Sequence, residues 1–238
     1  MILITRPRTE AKALSERLLK NRIVSYIEPM TSFRFYNKKI KYDKKTIYIV
    51  ASLQSVRSLA KTKLKNKQII KYGRFFIIGK KVSKSIKVLG CTHIIKIFEN
   101  SDELIKYLPK IKNKNFKLEY LCGSVVNQEF VSRLSNKKTL FKKNIIYQSK
   151  TRKNLSEKCL NLIRENKIKV ILIYSVLSAE TFFRLLKQKR LLNKISKVKI
   201  LCLSKRISSE VLFLSSHRLV EYSPAPNESS LIKYLRKG

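Results

Sequence analysis

The chain has 238 residues, 44% of them hydrophobic, with only five Gly and five Pro. That is enough apolar material to exclude wholesale disorder and collagen-like composition, and the length suits two domains of roughly 100–150 residues. Lys and Arg total 54 against 15 Asp and Glu, a formal net charge of +39, so the chain should attract anions, whether nucleic acid, lipid or a polycarboxylate.

Most of the cations are Lys spread along the whole chain, and Ile and Asn are abundant beside them. An A+T-rich coding sequence over-supplies these three residues, so part of the charge is compositional background. The longest apolar runs, such as residues 170–174 and 75–78, fall far short of the roughly 20 residues of a bilayer span. The start, from Met1 to Pro7, lacks the basic region and apolar length of a signal peptide. Cys91, Cys122, Cys159 and Cys202 form no C-x-x-C pair, and His93 and His217 lie far apart. A metal site is not expected. Cys122 and Cys202 sit in strand-like apolar runs, where a buried reduced thiol is the ordinary state and a reducing cytoplasm the matching compartment.

Short apolar runs alternate with helical periodicity along the chain. Residues 2–5 read as a buried strand, and residues 9–20 as a helix with Ala11, Leu14, Leu18 and Leu19 on one face. Strands follow at 23–27 and 46–51, then a helix at 53–65, a strand at 75–78 ending in Gly79, and a short helix stopped by Gly90. Residues 61–71 with Tyr72 read as a basic helix end and loop. Residues 93–98 are a strand; Ser101 as capping residue and early acids then open a helix that Pro109 ends. The alternation goes on with strands at 118–122, 143–148, 169–174, 199–203 and 219–222. Helices are expected at 129–134, 155–165, 178–191, 205–214 and 227–235, the last after Pro224 and Pro226. Such alternation implies βαβ units around parallel sheets. About ten strands suit two doubly wound sheets of roughly five better than one.

Ligands of open parallel sheets bind beyond the carboxyl ends of the strands. Here those ends carry Thr5-Arg6, Ala51-Ser52, Gly79-Lys80, Gly123-Ser124, Ser175 and Ser204-Lys205, each just before an expected helix. Free N–H groups and the helix dipole favour carboxylates or phosphates there. Ser and Gly are also ordinary capping residues, so the weight lies in six such ends recurring in one basic chain. No G-x-G-x-x-G, G-K-[ST], G-x-S-x-G or H-E-x-x-H occurs, and a triad has no obvious base. Catalysis would rest on positioning and hydrogen-bond donors.

The ordered set of segments resembles the uroporphyrinogen-III synthase family. It opens with Ile2-Leu3-Ile4-Thr5-Arg6-Pro7, with Ala11, Leu14, Leu18 and Pro29 after it. Ile49-Val50-Ala51-Ser52 with Val56 follows, then Ile77-Ile78-Gly79 with Leu89-Gly90, then Gly123 and Tyr147. Leu172-Ile173-Tyr174-Ser175 with Ser178, Ala179 and Phe182 comes next, then Leu203-Ser204-Lys205-Arg206, and Pro226 with Leu231 and Leu235. The chain departs from the pattern at Cys122 for Arg, Val82 and Ile207 for Thr, and Val176 for Pro.

The resemblance implies an α/β fold of two doubly wound parallel-sheet domains, one inserted in the other. Domain one would comprise residues 1–34 and 150–238 and domain two residues 38–144, joined by extended linkers at 34–38 and 144–150. A split into successive domains near residue 150 is the alternative from the pattern alone. The resemblance further implies a hydro-lyase that closes hydroxymethylbilane, a linear tetrapyrrole with eight carboxylates, to uroporphyrinogen III. Water is lost, the last ring is inverted through a spiro intermediate, and no cofactor or metal takes part. Tyr147 would stand nearest the chemistry, facing the interdomain cleft. Arg6, Ser52, Gly79, Lys80, Gly123, Ser124, Ser175, Ser178, Ser204 and Lys205 would hold substrate carboxylates. A cytoplasmic monomer without nucleic-acid or membrane partners is implied, with domain closure around the substrate. The rival class is a basic nucleic-acid-binding protein without catalysis, with residues 61–72 as its face.

Overall fold

The computed structural model describes residues 1–111, 115–136, 140–215, 217–225 and 227–237; Pro226 lies outside them. The chain divides into two compact units, Met1–Ser32 with Lys150–Gly238, and Phe33–Ser149.

The first unit holds a parallel sheet of five strands. They are β1 (Ile2–Ile4), β2 (Ser25–Ile27), β9 (Val170–Ile173), β10 (Lys199–Cys202) and β11 (Val220–Tyr222), in the order β11-β10-β9-β1-β2. Strand β1 lies between β2 and β9, pairing Ile2 with Ser25 and Val170. The sheet therefore joins both ends of the sequence. Leu3, Ile171, Ile173 and Ile200 pack on one face against α7 (Glu157–Arg164) and α8 (Val176–Gln188). Ile2, Ile4, Leu172 and Leu201 pack on the other against α1 (Arg8–Leu19) and α10 (Glu228–Lys237). Alternation along strands covered on both faces explains their unbroken apolar runs. Helix α9 (Lys205–Ser215) follows β10.

The second unit holds six strands. They are β3 (Thr31–Phe35), β4 (Thr46–Val50), β5 (Arg74–Ile78), β6 (Ile94–Phe98), β7 (Lys117–Gly123) and β8 (Leu140–Thr151), in the order β3-β8-β7-β4-β5-β6. The ladders from β8 to β6 are parallel. Tyr48, Val50, Phe75, Ile77 and Leu121 face α2 (Leu53–Lys61), α3 (Lys67–Tyr72) and α4 (Lys80–Leu89). Ile47, Ile49, Phe76 and Leu118 face α5 (Ser101–Tyr107) and α6 (Gln128–Ser135).

Local chemistry sets the helix starts and stops. Ser52, Asn100, Asn127, Ser156 and Ser175 cap α2, α5, α6, α7 and α8 by accepting a backbone N–H, each cap contributing about 1 kcal/mol. Gly90 ends α4 in the left-handed region, φ +106°.

Five expectations need correction. The helix expected over 53–65 stops at Lys61, and the segment read as a basic loop is α3, with Ile69 and Ile70 buried. Asn66 holds that corner, its Oδ1 accepting from Ile40 N at 2.7 Å. The cap of α5 is Asn100 rather than Ser101. Helix α5 ends at Tyr107, and Pro109 sits inside the following 3-10 turn, Leu108–Lys110. Residues 31–35 form a strand, β3, beside β8; its alternation of buried and exposed positions is too short to stand out among polar neighbours.

Among the described residues no helix is long and apolar enough to cross a membrane. All four cysteines are free and buried, and burial pushes the Cys91, Cys159 and Cys202 thiols up to about 12 and Cys122 to about 11. Thiolates are the reactive form. The folded chain should therefore leave all four thiols unlabelled by a disulfide reagent at pH 8, with four released on denaturation. A fast-reacting thiol in the native protein would contradict this packing.

Candidate functional site

Apart from Tyr147, inside β8, and Ser178, inside α8, the predicted residues fall at or just after the carboxyl ends of neighbouring strands in each sheet. In the second unit the adjacent strands β7, β4 and β5 end at Gly123-Ser124, Ala51-Ser52 and Gly79-Lys80. In the first unit β10, β9 and β1 are adjacent, and Ser204-Lys205, Ser175 and Arg6 follow them. Parallel pairing puts each row on a single edge of its sheet. Strand order, which the sequence does not state, is what makes each trio neighbours.

Tyr147 lies on β8, where the register with β7 shifts between Cys122 and Gly123 so that Gly123 stands opposite Tyr147. The ring is buried and packs edge-on to Phe33 at 5.8 Å, with Phe35 at 6.3 Å. Its hydroxyl donates to Ser52 Oγ at 3.2 Å. That oxygen in turn accepts from Gln54 N at 3.0 Å, at the start of α2. Ser124 N donates to Tyr147 O at 3.0 Å, and Ser124 Oγ accepts from Ser149 N at 3.3 Å. Tyr147, Ser52, Gly123 and Ser124 thus form one cluster. Burial raises the phenol's pKa above its ordinary value of 10, and the Ser52 hydrogen bond only partly offsets this. At neutral pH the group is a protonated donor beside a helix N-terminus.

Gly79, φ +95°, turns the chain from β5 into α4, a conformation that favours glycine. Lys80 is exposed, 3.8 Å from Glu99. In the first unit Ser175 Oγ caps α8, accepting from Ser178 N at 3.1 Å and donating to the buried Ser178 Oγ at 2.8 Å. Ser204 stands just before α9, and the exposed Lys205 opens it.

Arg6 is arranged differently from expectation. Its guanidinium lies 4.4 Å over the ring of Tyr174 and is ion-paired with Glu228 of α10. The other oxygen of Glu228 takes Arg17 at 2.8 Å. Much of the charge of Arg6 is met within the protein, and its nearest carboxylate is the chain's own.

Sequence reading missed Phe33, Phe35 and Tyr174 as ring partners of these groups, and Glu228 as the partner of Arg6. The aromatic positions at 33 and 35 have a period-two spacing, but two such positions are too few to reveal β3. Nothing local links Arg6 to a residue 222 positions away. Among the described residues no three or more His, Cys, Asp or Glu side chains form a metal-binding group.

Comparison with family models matches residues 12–233 to the family described as Uroporphyrinogen-III synthase HemD. The chain belongs to the uroporphyrinogen-III synthase family. Its activity is that of the family, a cofactor-independent lyase reaction that cyclises a linear tetrapyrrole in haem biosynthesis. A search of curated proteins finds no match. Among solved structures, uroporphyrinogen-III synthetase from Helicobacter pylori is similar, at 13% identity and TM-score 0.68, covering 99% of this chain and 98% of that one. A mutant uroporphyrinogen III synthase from the extreme thermophile Thermus thermophilus is similar at 12% identity and TM-score 0.61, with the same coverage. At these identities the likeness is one of fold, two parallel sheets in an α/β chain.

Proposed function

We propose that this chain acts on hydroxymethylbilane through Tyr147, whose hydroxyl hydrogen-bonds the hydroxyl that leaves as water. The observation that carries this reading is the Tyr147–Ser52 hydrogen bond at the carboxyl ends of β4 and β7. A buried, protonated phenol holding a short polar partner can transfer its hydrogen bond to a substrate oxygen without being desolvated again. Gly123, directly against the ring, keeps the approach open.

Each row of strand ends offers groups that suit carboxylates. Backbone N–H groups at the starts of α2, α4, α8 and α9, with Ser52, Gly79, Ser124, Ser175, Ser178 and Ser204 beside them, suit carboxylates, and Lys80 and Lys205 add charge. Arg6 contributes in this reading as part of a Glu228-bridged pair that a substrate carboxylate can enter. The uncatalysed ring closure gives the uninverted isomer, so the enzyme's task is orientation, which can contribute about 7–11 kcal/mol to a barrier.

Residues 34–38 and 144–150 serve as the connections between an inserted domain, 38–144, and a discontinuous one, 1–34 with 150–238; the division of the chain at 32/33 and 149/150 supports this. The four reduced cysteines support a cytoplasmic enzyme, acting as a monomer without a nucleic-acid or membrane partner. A single species of 27.9 kDa in sedimentation equilibrium checks the monomer.

Incubation of the purified protein with freshly made hydroxymethylbilane, followed by separation of the oxidised products, tests the function. Dominant type III isomer is expected. Type I alone, formed at the blank rate, overturns the reading.

A further inference from the structure

The second sheet carries a separate feature at its opposite edge. A cavity of about 660 Å³ opens where β4 and β7 begin, lined by Thr46, Lys117, Glu119 and Lys142 of the sheet and by Lys41, Tyr42 and Lys44 of the preceding loop. Its volume falls within the range of small-molecule pockets. Lys117 and Gly123 are the two ends of β7, so roughly 20 Å of strand separates this cavity from the Tyr147 cluster.

Its charges are not interchangeable. Asp43 is already satisfied, accepting from Lys45 N at 2.9 Å, Thr46 Oγ1 at 3.1 Å and Lys117 Nζ at 3.2 Å. Glu119 is only 9% exposed, and among the described residues it accepts one hydrogen bond, from Asn144 Nδ2 at 2.5 Å. A carboxylate can accept about four. Lys41, Lys44 and Lys142 have no ion-pair partner among the described residues. Tyr42 sets its ring 6.2 Å from that of the half-exposed Tyr72, which has Lys71 Nζ 5.1 Å from its centroid.

A polycarboxylate would meet the buried Glu119, and a simple cation would meet the lysines. A ligand that carries N–H donors, anionic groups and a flat ring satisfies all three features. We propose that this cavity binds a free nucleotide, with its base against Tyr42, its N–H edge on Glu119 and its phosphates among Lys41, Lys44 and Lys142. Guanine fits best, because it presents two adjacent N–H donors to the two carboxylate oxygens, whereas adenine presents only its amino group there. The site is independent of the catalytic assignment, because none of its residues belongs to the Tyr147 cluster.

Isothermal titration of the full chain with GTP, ATP and inorganic tripolyphosphate tests this. GTP should bind one to one, at least about tenfold tighter than tripolyphosphate, the effect of one stacked base, and tighter than ATP. Tyr42→Ala should weaken GTP about tenfold, leaving tripolyphosphate affinity and synthase turnover unchanged; that turnover also reports an intact fold. Glu119→Gln should erase the preference for GTP over ATP. Equal affinity for GTP and tripolyphosphate, or unchanged GTP affinity in the Tyr42 variant, overturns the proposal. So does an oligouridylate that binds more tightly than GTP, which would make the cavity part of a nucleic-acid face.

Discussion

Replacing Tyr147 by Phe is expected to lower kcat by about 100-fold, the lower end of what a positioned proton donor contributes, with KM nearly unchanged. The ring keeps its contacts with Phe33 and Phe35, so the stability loss is confined to one hydrogen bond, about 1 kcal/mol. A drop in kcat far larger than the drop in Tm distinguishes a catalytic hydroxyl from a packing one. The pH profile gives a second check. Because burial raises the phenol's pKa, this group stays protonated through pH 9. Turnover should therefore show no alkaline loss from Tyr147 between pH 6 and 9. Single-turnover rates on hydroxymethylbilane across that range measure both effects, and a Phe variant within twofold of the parent would remove the hydroxyl from the mechanism.

The α/β alternation was legible because each buried strand is a short apolar run and each helix shows a spaced face. Leu3 and Ile171 needed no structure to be read as core. The strand ends were legible for the same reason, since Ser52, Ser175 and Gly79 mark the switch from one period to the other. What the sequence could not give was adjacency. Whether Ser52 neighbours Gly123 or Lys205 depends on strand order, and strand order depends on long-range pairing such as β1 with β9. The capture of Arg6 by Glu228 was hidden likewise, because two charges 222 positions apart carry no local signature. Helix α3 was hidden for another reason. It is only six residues long and half of them are polar, and burial of Ile69 and Ile70, with Asn66 bonding the turn to Ile40, holds it in place.

The same geometry leaves Gly123 no room for a side chain. No positive φ demands glycine there; the demand comes from the ring opposite. A Cβ at Gly123 would lie 2.6 Å from Tyr147 Cζ and 2.9 Å from its oxygen, with ring carbon Cε2 closer still. Real Cβ atoms do not approach so closely, so Gly123→Ala must move the ring or the strand. Overpacking of this kind costs about 1–3 kcal/mol, and each kcal/mol lowers Tm by about 2–4 °C in a chain of this size. Activity should fall further, because displacing Tyr147 breaks its approach to Ser52, and a misplacement of about 1 Å can cost about 100-fold. The cause can be isolated with a double-mutant cycle. In a Tyr147→Ala background the ring is gone, so Gly123→Ala should then cost little further stability. Thermal melts of the four proteins measure this coupling. If the Gly123 substitution is equally costly with and without the ring, crowding by Tyr147 is not what reserves this position for glycine.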